Sequence, residues 1–174
     1  MLKEYIWGTE NWIHQDEKLL VKVIDAKKAL SVQVHPNDDY ARKVEGKPNG
    51  KNEMWYILSA DKDAFLYCGF NTKVDKDTIK KAACDGTIEK YLNKIYVKAG
   101  DLIKIPAGTV HAIGAGIKLL ETQQNSDITY RLYDYKRKDA QGNERELHLD
   151  KALDVLSFEA YDPESPVIKN FRIL

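Results

Sequence analysis

A chain of 174 residues is long enough to bury one sizeable core. Its 27 basic and 27 acidic side chains cancel, which removes the electrostatic case for nucleic acid or an anionic membrane as partner. No apolar run approaches the ~18–20 residues that span a bilayer, the first residues lack the apolar stretch of a signal peptide, and Cys68 and Cys84 make no disulfide framework; a cytoplasmic protein with both thiols buried is expected. Residues 1–18, with Trp7, Trp12 and Gly8, are expected to form a short strand or an N-terminal arm. Leu19 to Asp25 reads as a buried strand. Leu30 to His35 is a second, with Leu30, Val32 and Val34 on one face and Ser31, Gln33 and His35 on the other. Pro36 ends it, and Asn37 or Asp38 is placed to cap a short helical turn.

Glu45 to Lys51 is loop, with two glycines and a proline. Glu53–Leu58 and Ala64–Phe70 are strands three and four, with Gly69 as a bulge or a point of close approach. Over 75–94 the period changes to helical, broken at Asp85-Gly86, and two short helices are expected there. Five further short strands follow: Ile95–Lys98, Leu102–Ile105, Ala112-Ile113, Ile117–Gln123 and Thr129–Tyr135. Lys136 to Arg145 is a charged loop. His148–Phe158 repeats leucines at helical spacing and is predicted as a helix within a C-terminal segment, 146–174. Many short strands with frequent turns predict a mainly β chain, a closed barrel or sandwich in one domain over 1–174.

Gly100-Asp-Leu-Ile-Lys-Ile-Pro106-Ala-Gly108-Thr-Val-His111 is a turn, a strand, a second turn and a histidine held on a rigid corner, a placement that suits a metal ligand. The spacing of Gly100, Pro106, Gly108 and His111 resembles the second motif of the cupins, small jelly-roll β-barrels with an internal metal site. Four motifs in order narrow this: Leu30-Ser-Val-Gln33-Val-His35-Pro36, Lys51-Asn-Glu53-Met-Trp55-Tyr, Pro106-Ala-Gly-Thr-Val-His111-Ala and Thr129-Tyr-Arg131-Leu-Tyr-Asp134-Tyr-Lys-Arg137. Together they resemble the type I mannose-6-phosphate isomerases, in a shortened form, over most of the chain.

Gln33 and His35 lie two apart on one strand face, Glu53 is on the next strand and His111 on a distant one. Two imidazoles, a carboxylate and an amide oxygen suit a divalent metal such as zinc, and the two-histidine, one-carboxylate core also accepts Fe(II) or Mn(II). The resemblance implies that Gln33, His35, Glu53 and His111 bind zinc. It also implies that Arg131 is catalytic and that Lys51 and Arg137 line the substrate site. Arg131 and Arg137, six apart on an extended segment, are expected on one face. Glu121, in Leu-Glu-Thr-Gln, resembles another active-site position and competes with a metal-bound water and Lys51 as the proton-transfer group. His14 and His148 fall outside the motifs and read as surface or packing residues. The activity implied is interconversion of mannose 6-phosphate and fructose 6-phosphate through an enediol. A non-catalytic cupin that binds a sugar phosphate or metal, and an Fe(II) dioxygenase, are the alternatives. A homodimer closed by the apolar end Phe171-Arg-Ile-Leu is a further expectation.

Overall fold

The computed structural model describes residues 1–168. The chain opens with a hairpin, β1 (Leu2–Tyr5) and β2 (Gly8–Gln15), followed by β3 (Leu19–Ala26) and β4 (Val32–Val34). After β4 comes a helical turn, α1 (Asp38–Tyr40), which runs on to Glu45. Asn37 caps it by accepting from the Tyr40 N–H. Next are β5 (Glu53–Ala60), β6 (Phe65–Phe70) and α2 (Lys76–Asp85). Asp75 caps α2 by accepting from the Thr78 N–H, and Gly86 ends it in the left-handed region. A single turn, Ile88–Tyr91, then leads into β7 (Leu92–Tyr96). The helical insertion is therefore shorter than its predicted 75–94. Leu92 and Ile95 reach the core as strand residues paired to β6, where the backbone hydrogen bonds of an edge are available. The remaining elements are β8 (Leu102–Ile105), β9 (His111–Ala112), β10 (Ile117–Gln124), β11 (Tyr130–Tyr133), α3 (Leu149–Val155) and β12 (Val167–Ile168).

The strands form two antiparallel sheets. One has seven strands in the order β1-β2-β3-β10-β5-β8-β12, the other five in the order β11-β4-β9-β6-β7. The expected N-terminal strand is thus a hairpin that extends the larger sheet by two strands. Two apolar clusters separate three layers. Between the sheets lie Ile24, Trp55, Ile57, Ile103 and Leu119 of the larger sheet with Leu66, Cys68 and Ile95 of the smaller. Between the smaller sheet and the helices lie Val32, Val34, Ala112 and Leu132 with Ile79, Ala82 and Ala83 of α2 and Ala152 and Leu153 of α3.

This layering settles which face of β4 is which. Val32 and Val34 turn toward the helices, so the polar residues alternating with them turn into the space between the sheets. Gly69 bulges β6 as expected: Leu66 and Cys68 face the other sheet, but Phe70 faces the helices. A Cβ at Gly69 would also meet that of Tyr161 at 2.3 Å, so bulge and close approach coincide. Among the described residues no helix is long and apolar enough to cross a membrane. The apolar end Phe171-Arg-Ile-Leu lies outside the described residues.

Candidate metal centre

Pairing across the smaller sheet brings the motif residues into one row. Gln33 of β4 stands opposite His111 of β9 on one side and opposite Arg131 of β11 on the other. His35 lies two residues beyond Gln33, and Glu53, at the start of β5, faces them from the larger sheet. His35, Glu53 and His111 are buried and their ligand-capable atoms lie within 4.8 Å of one another. His35 Nε2 is 3.2 Å from Glu53 Oε1, and His111 Nε2 is 3.6 Å from Glu53 Oε2.

Main-chain carbonyls orient both rings. His35 Nδ1 lies 2.9 Å from the Ile128 carbonyl oxygen and His111 Nδ1 lies 2.8 Å from that of Thr109. A carbonyl only accepts, so each Nδ1 carries the proton and each Nε2 lone pair faces the carboxylate. That is the tautomer a metal-binding histidine needs. Burial, then the Lys51 charge, push the His35 pKa down to about 3, and burial pushes that of His111 down as well. Both rings are therefore neutral in ordinary conditions. Burial would raise the Glu53 pKa, but the Lys51 charge holds the carboxyl well below its usual range.

Two neutral Nε2 donors, an ionised carboxylate and a buried Oε2 that accepts no hydrogen bond among the described residues fit a divalent cation of the N/O-binding kind. The positive charge against Glu53 here comes from Lys51, whose Nζ is 2.6 Å from Oε1 and 3.2 Å from His35 Nε2. Gln33 turns its amide to His111 Nε2 at 3.5 Å and accepts from the Ser31 hydroxyl.

Lys51 and Gln33 also line a cavity of about 290 Å³ between the sheets, together with Lys22, Glu121, Arg131 and Arg145. Lys22 and Glu121 are direct cross-strand partners, 2.8 Å apart, and Trp55 Nε1 donates to Glu121 Oε2 at 2.9 Å. Burial disfavours the Lys22 charge, but Glu121 and Glu10 outweigh it and raise the Lys22 pKa. Glu121 is thus both a member of a buried network and a wall of the cavity. Lys22 did not register as a site residue in the sequence. Its signal was present: Leu20, Lys22, Ile24 and Ala26 alternate, and a lysine on that inner face is 7% exposed. Arg145 had no such signal, because it sits in the irregular loop.

Arg137 is not brought to the cavity. The extended run expected through residue 137 stops at Tyr133, and Tyr135 and Lys136 take left-handed φ values of 58° and 51°. The even spacing to Arg131 therefore loses its meaning. Arg137 instead bonds to the Asp134 carboxylate and to the Ala29 carbonyl oxygen. Cys68 is buried as expected, but Cys84 is exposed, on the side of α2 away from Ile79, Ala82 and Ala83.

No family model matches the chain. It is 52% identical over 155 residues to the mannose-6-phosphate isomerase ManA of Bacillus subtilis, covering 89% of this chain and 49% of that protein. It is 50% identical over 139 residues to a mannose-6-phosphate isomerase of Streptococcus mutans, covering 80% and 43%. Over most of its length the chain is thus similar to members of the mannose-6-phosphate isomerase family. The crystal structure of the mannose 6-phosphate isomerase from Bacillus subtilis superposes with a TM-score of 0.78 at 40% identity, over 86% of this chain and 48% of that one. The two-sheet, cupin-like β architecture is shared with this family, and the chain spans about half the length of the curated relatives it matches.

Proposed function

We propose that this chain interconverts mannose 6-phosphate and fructose 6-phosphate, with a divalent metal held by Gln33, His35, Glu53 and His111. The observation that carries the reading is the buried His35–Glu53–His111 cluster, which meets a charged cavity through Lys51 and Gln33. The names of the relatives supply the substrate pair. A divalent cation held there, zinc in this reading, would supply Lewis-acid charge to the reaction.

The chain's own residues divide the remaining work. Isomerisation removes the proton on C2 of the open-chain aldose and returns a proton to C1, with an enediol between. Glu121 is the base in this reading. Its carboxylate lines the cavity and is held by Lys22 and by the Trp55 N–H, which fix its position. Negative charge develops on the two oxygens as the C2 proton leaves. Arg131 and Lys22 present cations to that charge inside a partly buried site, where they act most strongly. The phosphate falls to Lys51 and Arg145, which line the same cavity. Arg137, expected beside them, is engaged with Asp134 and Ala29.

The test is a coupled assay. Purified protein loaded with zinc is given mannose 6-phosphate, and fructose 6-phosphate formation is followed with and without a chelator. Turnover that the chelator abolishes is expected. Zinc bound in stoichiometric amount with no turnover would overturn the reading in favour of a cupin that binds without catalysing.

A further inference from the structure

Among the described residues β11 is the edge of the smaller sheet, so half of its backbone groups have no strand there to bond. Arg131 faces this problem in the middle of the edge. Its N–H and C=O point away from β4, because both are taken up on the outer side. The Arg131 carbonyl oxygen accepts from the His148 N–H at 2.8 Å, and the Arg131 N–H donates to His148 Nδ1 at 3.2 Å. One residue thus closes both backbone valences of Arg131, using its main chain for one and its ring for the other. The Arg131 guanidinium is tied to the same segment, donating from Nη1 to the Glu146 carbonyl oxygen at 2.6 Å. Its Nε is buried and has no hydrogen-bond partner among the described residues, which leaves a donor available to a ligand.

We infer that His148 is the positioning residue of Arg131: a neutral imidazole, accepting through Nδ1, that completes the β11 edge and thereby fixes the guanidinium in the cavity. This rests on the proposed isomerase reading, in which Arg131 faces the substrate. The requirement is chemical. Nδ1 accepts only while it carries no proton, and a protonated ring would turn a donor toward the Arg131 N–H.

The surroundings keep the ring in that state. Burial and then the Arg131 charge lower its pKa, and Lys151 acts the same way, against Glu146 and Glu45. Glu146 Oε2 lies 3.9 Å from Nε2. Glu45 is occupied by the Tyr130 hydroxyl and by Lys151. The other charged groups around the ring, Asp150, Asp127 and Lys47, line the solvent-facing cleft of about 590 Å³ beside it. A histidine with a lowered folded pKa contributes stability that is full above its unfolded pKa of about 6.5 and is lost as pH falls through the folded value.

The experiment compares His148→Leu and His148→Asn in the zinc-loaded protein. Asparagine keeps an acceptor near the Nδ1 position; leucine removes it. We expect His148→Leu to lower kcat about ten-fold or more with little change in KM, since a displaced Arg131 is missed chiefly in the transition state. His148→Asn should recover most of the loss. Wild-type kcat in His148→Leu, or an asparagine variant as poor as the leucine one, would overturn the inference. A second measurement needs neither activity nor a folded variant: ¹⁵N shifts of the wild-type His148 ring. A proton on Nε2 and none on Nδ1 at neutral pH supports the positioning contact, and a proton on Nδ1 overturns it. If the ring has the expected tautomer and the wild-type protein turns over no mannose 6-phosphate, the isomerase reading fails and the contact stands.

Discussion

The inward residues of β3, β10 and β5 change character half-way along each strand. Toward one end they are Ile24 and Ala26, Ile117 and Leu119, and Ile57, packed against Leu66 and Ile95 of the smaller sheet. Toward the other they are Lys22, Glu121, Gln123 and Glu53, all buried, with Leu20 the one apolar residue among them, and Glu53 meets His35 and His111. The same strands, in the same register, therefore build an apolar plug and a charged site side by side. The plug gains its stability from removing apolar area from water, and it tolerates no gap. The charged end carries a desolvation cost, offset only where each charge meets a partner: Lys22 with Glu121, Lys51 with Glu53. Trp55 joins the two. Its ring is fully buried in the plug and its N–H reaches Glu121.

The charged end is the more sensitive of the two to substitution. His111→Ala and Glu53→Gln should each remove stoichiometric zinc, measured by elemental analysis, and lower isomerase activity by at least about a hundred-fold, from loss of several kcal/mol of charge stabilisation. Retention of both metal and activity in Glu53→Gln would remove the carboxylate from the site. Lys22→Met tests the second charged pair. It strands the Glu121 carboxylate, with an expected loss of about 3–5 kcal/mol in urea unfolding. The double variant Lys22→Met, Glu121→Gln removes both charges and should recover most of that stability while remaining inactive. A double variant as unstable as the single one would show that the pair is not the cause.

The apolar end should respond in the opposite sense. Leu119→Ala opens a cavity in a fully buried position, with an expected loss of about 2–5 kcal/mol and unchanged zinc content in the folded protein. If it loses zinc before it loses stability, the two ends are not separable.

Much of this division was legible in the sequence, for reasons that differ by residue. Gln33, His35, Glu53 and His111 stand in motifs with fixed spacing, and the alternation along residues 30–35 put Gln33 and His35 on one face. What alternation did not say was that this polar face is the inner one, because that depends on the helices covering Val32 and Val34. Lys22 was readable by the same alternation and was passed over inside an apolar strand. Arg145 and His148 were not readable. They reach the site through a loop that leaves β11 by two left-handed residues, Tyr135 and Lys136, and returns to its edge. The same turn takes Arg137 off the face that even spacing would have it share with Arg131.

Cys68 sits in the apolar plug opposite His111. Burial alone pushes its thiol pKa up to about 12, so almost no thiolate exists in the folded protein at pH 8. Cys84 is exposed on α2, within reach of a reagent in solution. A thiol-titrating disulfide reagent should therefore count one reactive cysteine in the folded protein and two in denaturant. Replacing Cys84 by serine should abolish the folded-state reaction without changing zinc content. If two thiols react in the folded protein at comparable rates, the plug opens on the timescale of labelling. The closure of the apolar end would then hold for packing but not for motion.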